Sequence, residues 1–171
     1  MKAILYTKYG PPELLQLKEV EKPTPKENQV LIKVYAASIN AAVWRGMRYP
    51  ILDRVIGGGL LKPKNTRVGS DVAGRVEAVG ENVTQFRPGD EVFGCAKGAF
   101  AEYVCAREGA LALKPDNISF EEAAAVPEAA LTALQGIRYA GGIRPGQKVL
   151  IQGASGGVGT FCSTACQIVR G

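Results

Sequence analysis

The sequence predicts a mostly β barrel at residues 1–117, followed at residues 118–171 by the first strand and helix of an alternating α/β nucleotide-binding domain. Short strand-like stretches are separated by glycine and proline turns without helices between them, which is typical of a small barrel. From Lys114-Pro115-Asp116 onward the composition changes to alanine-rich helix, and then to a strand that runs into glycines. This change of pattern indicates a domain boundary near residue 117.

The barrel is predicted from six strand-like segments. In the clearest of them Val30, Ile32 and Val34 occupy alternate positions, as expected of a strand with one buried face. Gly74 and Gly80 mark bends where a sheet curls towards closure. The predicted strands are at residues 3–8, 13–20, 30–35, 68–79, 91–94 and 100–105, with a loop entering a short helix at 38–45.

The second part begins with a helix signal. Ser119 and Glu122 have the spacing of a capping box, in which each side chain satisfies a backbone N–H group of the first turn. Pro127 interrupts this helix, and a second helix is predicted from Glu128 to Gly136. A strand is then predicted at residues 148–152, directly before a glycine-rich turn and another helix.

Composition excludes several kinds of site. Histidine is absent, which removes histidine-based triads and zinc sites that use imidazole. The four cysteines lack a C-x-x-C spacing and predict free thiols in a reducing compartment, and we expect no metal. The N-terminus is too short in apolar residues for a signal peptide, and no stretch approaches the ~20 apolar residues of a membrane span. We therefore expect a cytoplasmic protein without a membrane partner.

Residues 45–67 carry six basic side chains against the single acidic Asp53 and include Gly57-Gly58-Gly59. Two interpretations stay open, a solvated mobile loop and a mouth that attracts anionic ligands. Nucleic acid is not favoured as a partner of this segment, because the segment lacks the aromatic-and-basic pattern on which bases stack.

The glycine-rich turn is the clearest chemical signal. Gly153, Gly156 and Gly159 form a G-x-x-G-x-x-G pattern between the predicted strand and the next helix. Unpaired N–H groups and the helix dipole give a helix start partial positive charge. Glycines also let a phosphate approach the main chain without meeting a Cβ atom. The turn alone predicts a phosphate site, although many glycine-rich loops bind no nucleotide.

Five motifs that follow one another make this pattern more specific. They are GSDVAGRVEAVG at 69–80, FRPGDEVFG at 86–94, GAFAEYV at 98–104, AAAVPEAALTALQG at 123–136 and PGQKVLIQGASGGVGT at 145–160. Together they resemble the medium-chain dehydrogenase/reductase superfamily, and they are most similar to its zinc-independent quinone oxidoreductase branch. The resemblance runs from residue 1 to about residue 161.

The resemblance implies a GroES-like barrel followed by a Rossmann domain, with the cofactor bound between them. It implies hydride transfer from NADPH, with NADH as the alternative, to a quinone, an enone or a related carbonyl compound. Zinc-using relatives carry cysteine and histidine where this chain has Asn40, Ala41, Ser70 and Asp71. Catalysis is therefore expected to depend on orientation of the reactants and not on zinc.

The resemblance also assigns site residues. Asn40 and Tyr49 are implied to be catalytic and to line the substrate side, where polar groups stabilise the developing anion. Asp71 and Glu102 are expected to satisfy barrel backbone and turns, and Trp44 to pack. The residues implied to bind the cofactor are Thr132, Gly153, Ser155, Gly156, Gly157, Val158 and Gly159.

Two features differ from the family pattern. Val43 stands where relatives often carry an aspartate, so no proton relay is expected there. Residues 162–171 fit poorly, which leaves open either a small insertion in the helix or the loss of a helix and a strand. Thr132, as a mid-helix threonine, has an alternative role in a hydrogen bond to the preceding turn.

The chain is expected to be a fragment or shortened form, because about half of a family member would follow residue 171. Two helical pieces cannot cover both faces of the strand at 148–152. We therefore expect that strand to be exposed, swapped between copies of a homo-oligomer, or covered by a partner chain. The alternative function is a non-catalytic GroES-like remnant that acts as a structural or interaction module.

Overall fold

The fold is described from a computed structural model, which describes residues 1–48, 63, 66–139 and 141–170 without the side chains of residues 45–48, 169 and 170. Tyr49 and most of the basic segment 45–67 lie outside the described residues. The chain separates into two compact units, Met1–Ala125 and Val126–Gly171. No helix in the described ranges is long and apolar enough to cross a membrane.

The first unit is built on antiparallel strands. A two-stranded ribbon contains β1 (Lys2–Leu5) and β2 (Gln16–Glu19). The remaining strands are β3 (Gln29–Ser38), β4 (Asp71–Val79), β5 (Glu91–Cys95), β6 (Tyr103–Arg107) and β7 (Leu111–Leu113). They form a five-stranded sheet in the order β6-β3-β4-β5-β7, and α1 (Ala41–Arg48) follows β3 in the chain. Single bridges from Ala3 to Ala101 and from Leu5 to Arg67 attach the ribbon to the segments around this sheet.

One hydrophobic core lies inside this unit. Ile32, Val72 and Val92 come from three neighbouring strands and have no exposed surface. Burying such a side chain contributes about 1.5–3 kcal/mol, so a core of this size stabilises the sheet substantially. The mostly β character predicted for the first part is confirmed. The core residues are Val30, Ile32, Val72, Val76, Phe86, Val92, Ala96, Ala99, Val104 and Ala106.

The predicted strands are present with shifted ends. β6 begins at Tyr103 and not at residue 100, because Ala101 forms a single bridge with Ala3. β7 was not predicted, since three residues carry too little alternation to be recognised. In β3 Leu31 is buried beside Ile32, where the pairing with β4 shifts its register, so strict alternation fails at that point.

A glycine in β4 allows two strands to approach closely. A Cβ atom on Gly74 would lie 2.1 Å from the carbonyl oxygen of Lys33 in β3. We expect Gly74→Ala to lower the free energy of unfolding, measured in urea, by about 2–3 kcal/mol, because the methyl group forces the strands apart. Gly109→Ala is the matched control, since a Cβ there meets nothing within 4 Å. Equal losses in the two variants would contradict this explanation.

α2 (Phe120–Ala124) begins with the predicted capping box. Ser119 Oγ accepts a hydrogen bond from the Glu122 N–H at 3.2 Å, and the Glu122 carboxylate accepts one from the Ser119 N–H at 2.8 Å. The helix buries two alanines against the sheet. Because this packing ties α2 to the barrel, the first unit extends to Ala125, whereas the sequence placed the boundary near residue 117.

A nearly buried lysine anchors the segment that leads into α2. Lys114 Nζ donates to the carbonyl oxygens of Pro115 and Ile118 at 3.1 and 2.8 Å, and it lies 3.2 Å from the Glu91 carboxylate. Glu91 also pairs with Arg75 at 2.9 Å. The Arg75 guanidinium, and after it the Lys114 ammonium, holds the pKa of Glu91 below its usual value.

The second unit contains α3 (Pro127–Tyr139) and α4 (Gly157–Arg170), which pack together. Pro127 is the first residue of α3, where a proline costs little because the N–H groups of a first turn have no intrahelical acceptor. The predicted second helix is therefore present and is longer than residues 128–136.

The prediction of a strand at residues 148–152 is wrong. Residues 147–151 have no strand pairing, and residues 152–155 form turns. A strand needs a neighbour that exchanges backbone hydrogen bonds with it, and the described part of the second unit contains no strand. Leu150 is 96% exposed, as expected of a strand-like segment without cover.

Candidate functional site

A buried carboxylate lies where three strands of the sheet end. Asp71, the first residue of β4, pairs in register with Ser38 at the end of β3 and with Cys95 at the end of β5. Its exposed fraction is 2%. Of the polar or charged residues that the structure describes, only Asp71 is buried. Its Oδ2 atom accepts a hydrogen bond from Ser38 Oγ at 2.9 Å, and its Oδ1 atom lies 4.0 Å from Cys95 Sγ.

Asn40 joins this carboxylate to the start of α1. Its Nδ2 atom donates to Ser70 Oγ at 2.6 Å and to Asp71 Oδ2 at 3.0 Å. Its Oδ1 atom accepts the Val43 N–H at 3.0 Å, which is the bond of a helix N-cap. The amide thus links the end of β3, the start of β4 and the first turn of α1. We call Ser38, Asn40, Ser70, Asp71 and Cys95 the polar cluster.

The polar cluster holds amide, hydroxyl, thiol and carboxylate groups. In the parts of the chain that the structure describes, no group of three or more histidine, cysteine, aspartate or glutamate side chains is placed to hold a metal ion.

The four cysteines are free thiols, as predicted. Cys105 lies outside the polar cluster. Burial raises the pKa of its thiol, against a smaller opposing effect of Arg67, so this thiol is protonated at neutral pH.

The other first-unit candidates have different positions. Tyr49 lies outside the described residues, so its predicted catalytic role stays a prediction. The Glu102 carboxylate accepts the Lys2 N–H at 2.7 Å and satisfies barrel backbone, as predicted. The expectation for Asp71 was incomplete, because its hydrogen-bond partners include the side chains of Ser38 and Asn40. Trp44, which was expected to pack, is 44% exposed in α1.

In the second unit, the glycine-rich turn has a shape that depends on its glycines. Gly153 has a φ of +74°, and its carbonyl oxygen accepts the Gly156 N–H at 3.0 Å. A Cβ atom on Gly159 would lie 2.2 Å from the Gly153 carbonyl oxygen. Gly159 lies in the first turn of α4, which begins at Gly157. Only a glycine at position 159 allows the backbone at Gly153 and Ala154 to pack this closely against that first turn.

The residues of this turn lie at the surface. Residues 152–158, which include Ser155 and Val158, are exposed, whereas Gly159 is buried. The first N–H groups of α4 have no acceptor within the helix, and they carry the positive end of its dipole. The structure therefore brings six of the predicted cofactor-binding residues together in a form that suits an anionic group. These are Gly153, Ser155, Gly156, Gly157, Val158 and Gly159.

Thr132, the seventh predicted cofactor-binding residue, lies on α3. Its hydroxyl donates to the Glu128 carbonyl oxygen at 2.6 Å, which is the alternative that its mid-helix position predicted. This bond uses the hydroxyl hydrogen and leaves oxygen lone pairs that can accept. Its role towards a cofactor stays a prediction.

Sequence reasoning missed Ser38 and Cys95 as members of the polar cluster. Both are the last residues of their strands, and only the pairing of those strands with β4 brings them to Asp71. A weak signal was present, since each of these strands ends on a serine or a cysteine after a largely apolar run. The pairing partners and the register, however, are not visible in the sequence.

Comparison with known proteins finds relatives along nearly the whole chain. Residues 26–116 match the family model described as the alcohol dehydrogenase GroES-like domain. A quinone oxidoreductase of Sus scrofa is 40% identical over 176 residues, covering 99% of this chain and 50% of the relative. A 2-methylene-furan-3-one reductase of Solanum lycopersicum is 39% identical, covering 94% of this chain and 42% of the relative.

The solved structures agree with these relatives. The Escherichia coli quinone oxidoreductase complexed with NADPH matches with a TM-score of 0.83 and 28% identity, covering 99% of this chain and 50% of that chain. The chain therefore spans about half the length of the relatives that it matches.

Proposed function

Because the chain belongs to the alcohol dehydrogenase GroES-like domain family, and within the medium-chain dehydrogenase/reductase superfamily to its quinone oxidoreductase-like branch, we propose that it forms part of an NADPH-dependent reductase of quinones, enones or related carbonyl compounds that uses no zinc. NADH is the alternative cofactor. The relatives named quinone oxidoreductase and 2-methylene-furan-3-one reductase support this class of acceptor.

The shape of the glycine-rich turn carries the proposal. Its residues 152–158 are exposed at the start of a 14-residue helix, and the close approach of Gly159 to the Gly153 carbonyl oxygen, which a side chain would prevent, shapes the turn. A pyrophosphate fits such a turn because backbone N–H groups and the helix dipole both favour negative charge. The Escherichia coli relative that is complexed with NADPH supports a nicotinamide dinucleotide as the ligand.

When bound, the nicotinamide supplies the hydride, and the residues of this chain bind and orient the reactants. In this proposal the main chain at Ser155, Gly157 and Val158 holds the pyrophosphate, and Thr132 faces the nicotinamide. Gly153, Gly156 and Gly159 shape the turn, since the Gly156 N–H is bonded to the Gly153 carbonyl oxygen. Tyr49 donates a hydrogen bond to the acceptor oxygen, where negative charge develops. Asn40 has both Nδ2 hydrogens on Ser70 and Asp71, so it acts by holding the substrate-side loop.

The chemistry of the polar cluster supports a reaction without zinc. Asn40 and Ser70, which stand at positions where zinc-using relatives carry metal ligands, are bonded to each other at 2.6 Å. Amide nitrogen is not a zinc ligand in proteins, whereas thiolate and imidazole are. Hydrogen bonding therefore accounts for these side chains without a metal.

A strand partner for residues 148–151 is part of the same proposal. Leu150 is 96% exposed and Val149 38% exposed, in a segment whose sequence favours a strand. Pairing with a second copy of the chain or with another chain would bury these side chains and satisfy the backbone.

Titration with NADPH tests the proposal. We expect the nicotinamide fluorescence to change saturably, with half-saturation between about 1 μM and 1 mM, the range typical of enzyme substrates. Oxidation of NADPH at 340 nm should then depend on an added benzoquinone or enone, and a zinc chelator should leave the rate unchanged. An absence of binding at millimolar NADPH would instead support the non-catalytic GroES-like module.

A further inference from the structure

We propose that Asp71 is a positioning residue that sets the orientation of the Asn40 amide and thereby fixes the start of α1. The inference uses only contacts within the first unit. Its consequence for reduction rests on the proposed function, in which the segment after α1 carries Tyr49 on the substrate side.

Asp71 is almost completely buried. Its exposed fraction is 2%, and no other polar or charged side chain of the described ranges is buried to that degree. A buried carboxylate is unfavourable unless donors surround it. Ser38 Oγ and Asn40 Nδ2 lie 2.9 and 3.0 Å from its Oδ2 atom, so the fold places donors where this carboxylate needs them.

The Asp71 carboxylate and the Asn40 amide differ in what they can donate and accept. An ionised carboxylate only accepts hydrogen bonds, whereas the two ends of an amide differ, because the nitrogen donates and the oxygen accepts. Asp71 therefore requires the Nδ2 end of Asn40 to face β4. The Oδ1 end must then face α1, where it accepts the Val43 N–H at 3.0 Å. A flipped amide would lose both bonds and would place a donor against the first turn of the helix.

A role for Asp71 as a proton donor fits this geometry poorly. The Asn40 amide nitrogen can only donate, so the Asp71 Oδ2 atom that faces it is an acceptor. The carboxylate is also closed off from solvent. Its contacts instead connect the ends of β3 and β4 to the first turn of α1, which is what a positioning residue does.

Hydrogen–deuterium exchange of the Val43 backbone N–H reports directly on the Asn40 cap. Val43 is in the first turn of α1, so its N–H depends on the Asn40 cap and not on an intrahelical acceptor. Asp71→Asn presents an amide to the Asn40 amide and removes the preference for one orientation. We expect the Val43 N–H to exchange about tenfold faster in this variant, in line with the loss of a hydrogen bond to a charged group.

An exchange of the two side chains distinguishes positioning from simple packing. Asn40→Asp alone places two carboxylates within about the present 3.0 Å contact and should also lower Val43 protection. The double variant N40D/D71N restores one donor and one acceptor, and a carboxylate at position 40 is a good N-cap. We expect Val43 protection in the double variant within about threefold of the original chain. Asp90→Asn is the control, since Asp90 accepts the Arg87 N–H in an exposed turn far from Asn40 in sequence.

The outcomes separate this inference from the proposed function. Unchanged Val43 protection in Asp71→Asn, or a double variant as unprotected as Asn40→Asp, would overturn the positioning role. If NADPH-dependent quinone reduction is measured, kcat should fall more than KM changes in Asp71→Asn and recover in the double variant. A chain that reduces no quinone in any form would contradict the proposed function, while Val43 exchange would still decide the role of Asp71.

Discussion

Replacement of Gly159 by alanine is expected to weaken NADPH binding about 100-fold. The alanine Cβ would lie 2.2 Å from the Gly153 carbonyl oxygen and 2.7 Å from Ala154 Cα, and both of these are backbone atoms that cannot rotate away. Opening the turn by the required amount is expected to cost about 3 kcal/mol, which corresponds to about 100-fold in affinity. The measurement is a fluorescence titration with NADPH.

Two further alanine variants show whether the shape of the turn is responsible. A Cβ on Gly136, in α3, meets nothing within 4 Å, so Gly136→Ala should bind NADPH as the original chain does. A Cβ on Gly157 would have only an ordinary 3.7 Å contact with Ala129. Gly157→Ala should therefore keep the fold, and any loss of affinity would report contact with the cofactor itself. Unchanged NADPH affinity in Gly159→Ala would show that the turn does not form the cofactor site.

Replacement of Ile32 by alanine is expected to lower the free energy of unfolding of the chain by about 4 kcal/mol. Ile32 has no exposed surface and belongs to the hydrophobic core, on a strand that pairs with β4 on one side and β6 on the other. The loss has two parts. The favourable free energy of burying the removed methyl and methylene groups is lost, and a cavity remains that the close-packed core cannot fill. Because domains are stable by only about 5–15 kcal/mol, this variant should unfold at much lower urea concentration.

Leu17→Ala is the matched control for the core variant. Leu17 is also a large aliphatic residue in a strand, but it is 67% exposed on β2. Its truncation should change the free energy of unfolding by less than about 0.5 kcal/mol. If Ile32→Ala and Leu17→Ala have similar stabilities, the sheet does not enclose the core that the burial pattern describes.

Local features were predicted from the sequence with the most success. The capping box of Ser119 and Glu122 forms as predicted, because both of its bonds are made within three residues of chain. The back-bond of Thr132 also forms within one turn. The relation to the GroES-like family followed from ordered motifs, and the match of residues 26–116 confirms it.

Features that depend on a neighbour were predicted less well. Residues 148–152 have the composition of a strand, but a strand requires a partner, and this segment has none among the described residues. The boundary near residue 117 was inferred from composition and stays a prediction, while the buried alanines of α2 pack against the sheet. At residues 148–152 the local pattern was that of a strand, and the packing was not visible in it.

The sequence by itself determined strands β1 to β6, the glycine-rich turn and the family to which the chain belongs. These depend on periodicity, on backbone freedom at glycine and on short motifs, all of which are local. Only the tertiary structure decided that Asp71 is buried among the side chains of Ser38, Asn40 and Cys95. Strand register brings these residues together across 24 to 33 positions of sequence, and register is set by the packing of the whole sheet.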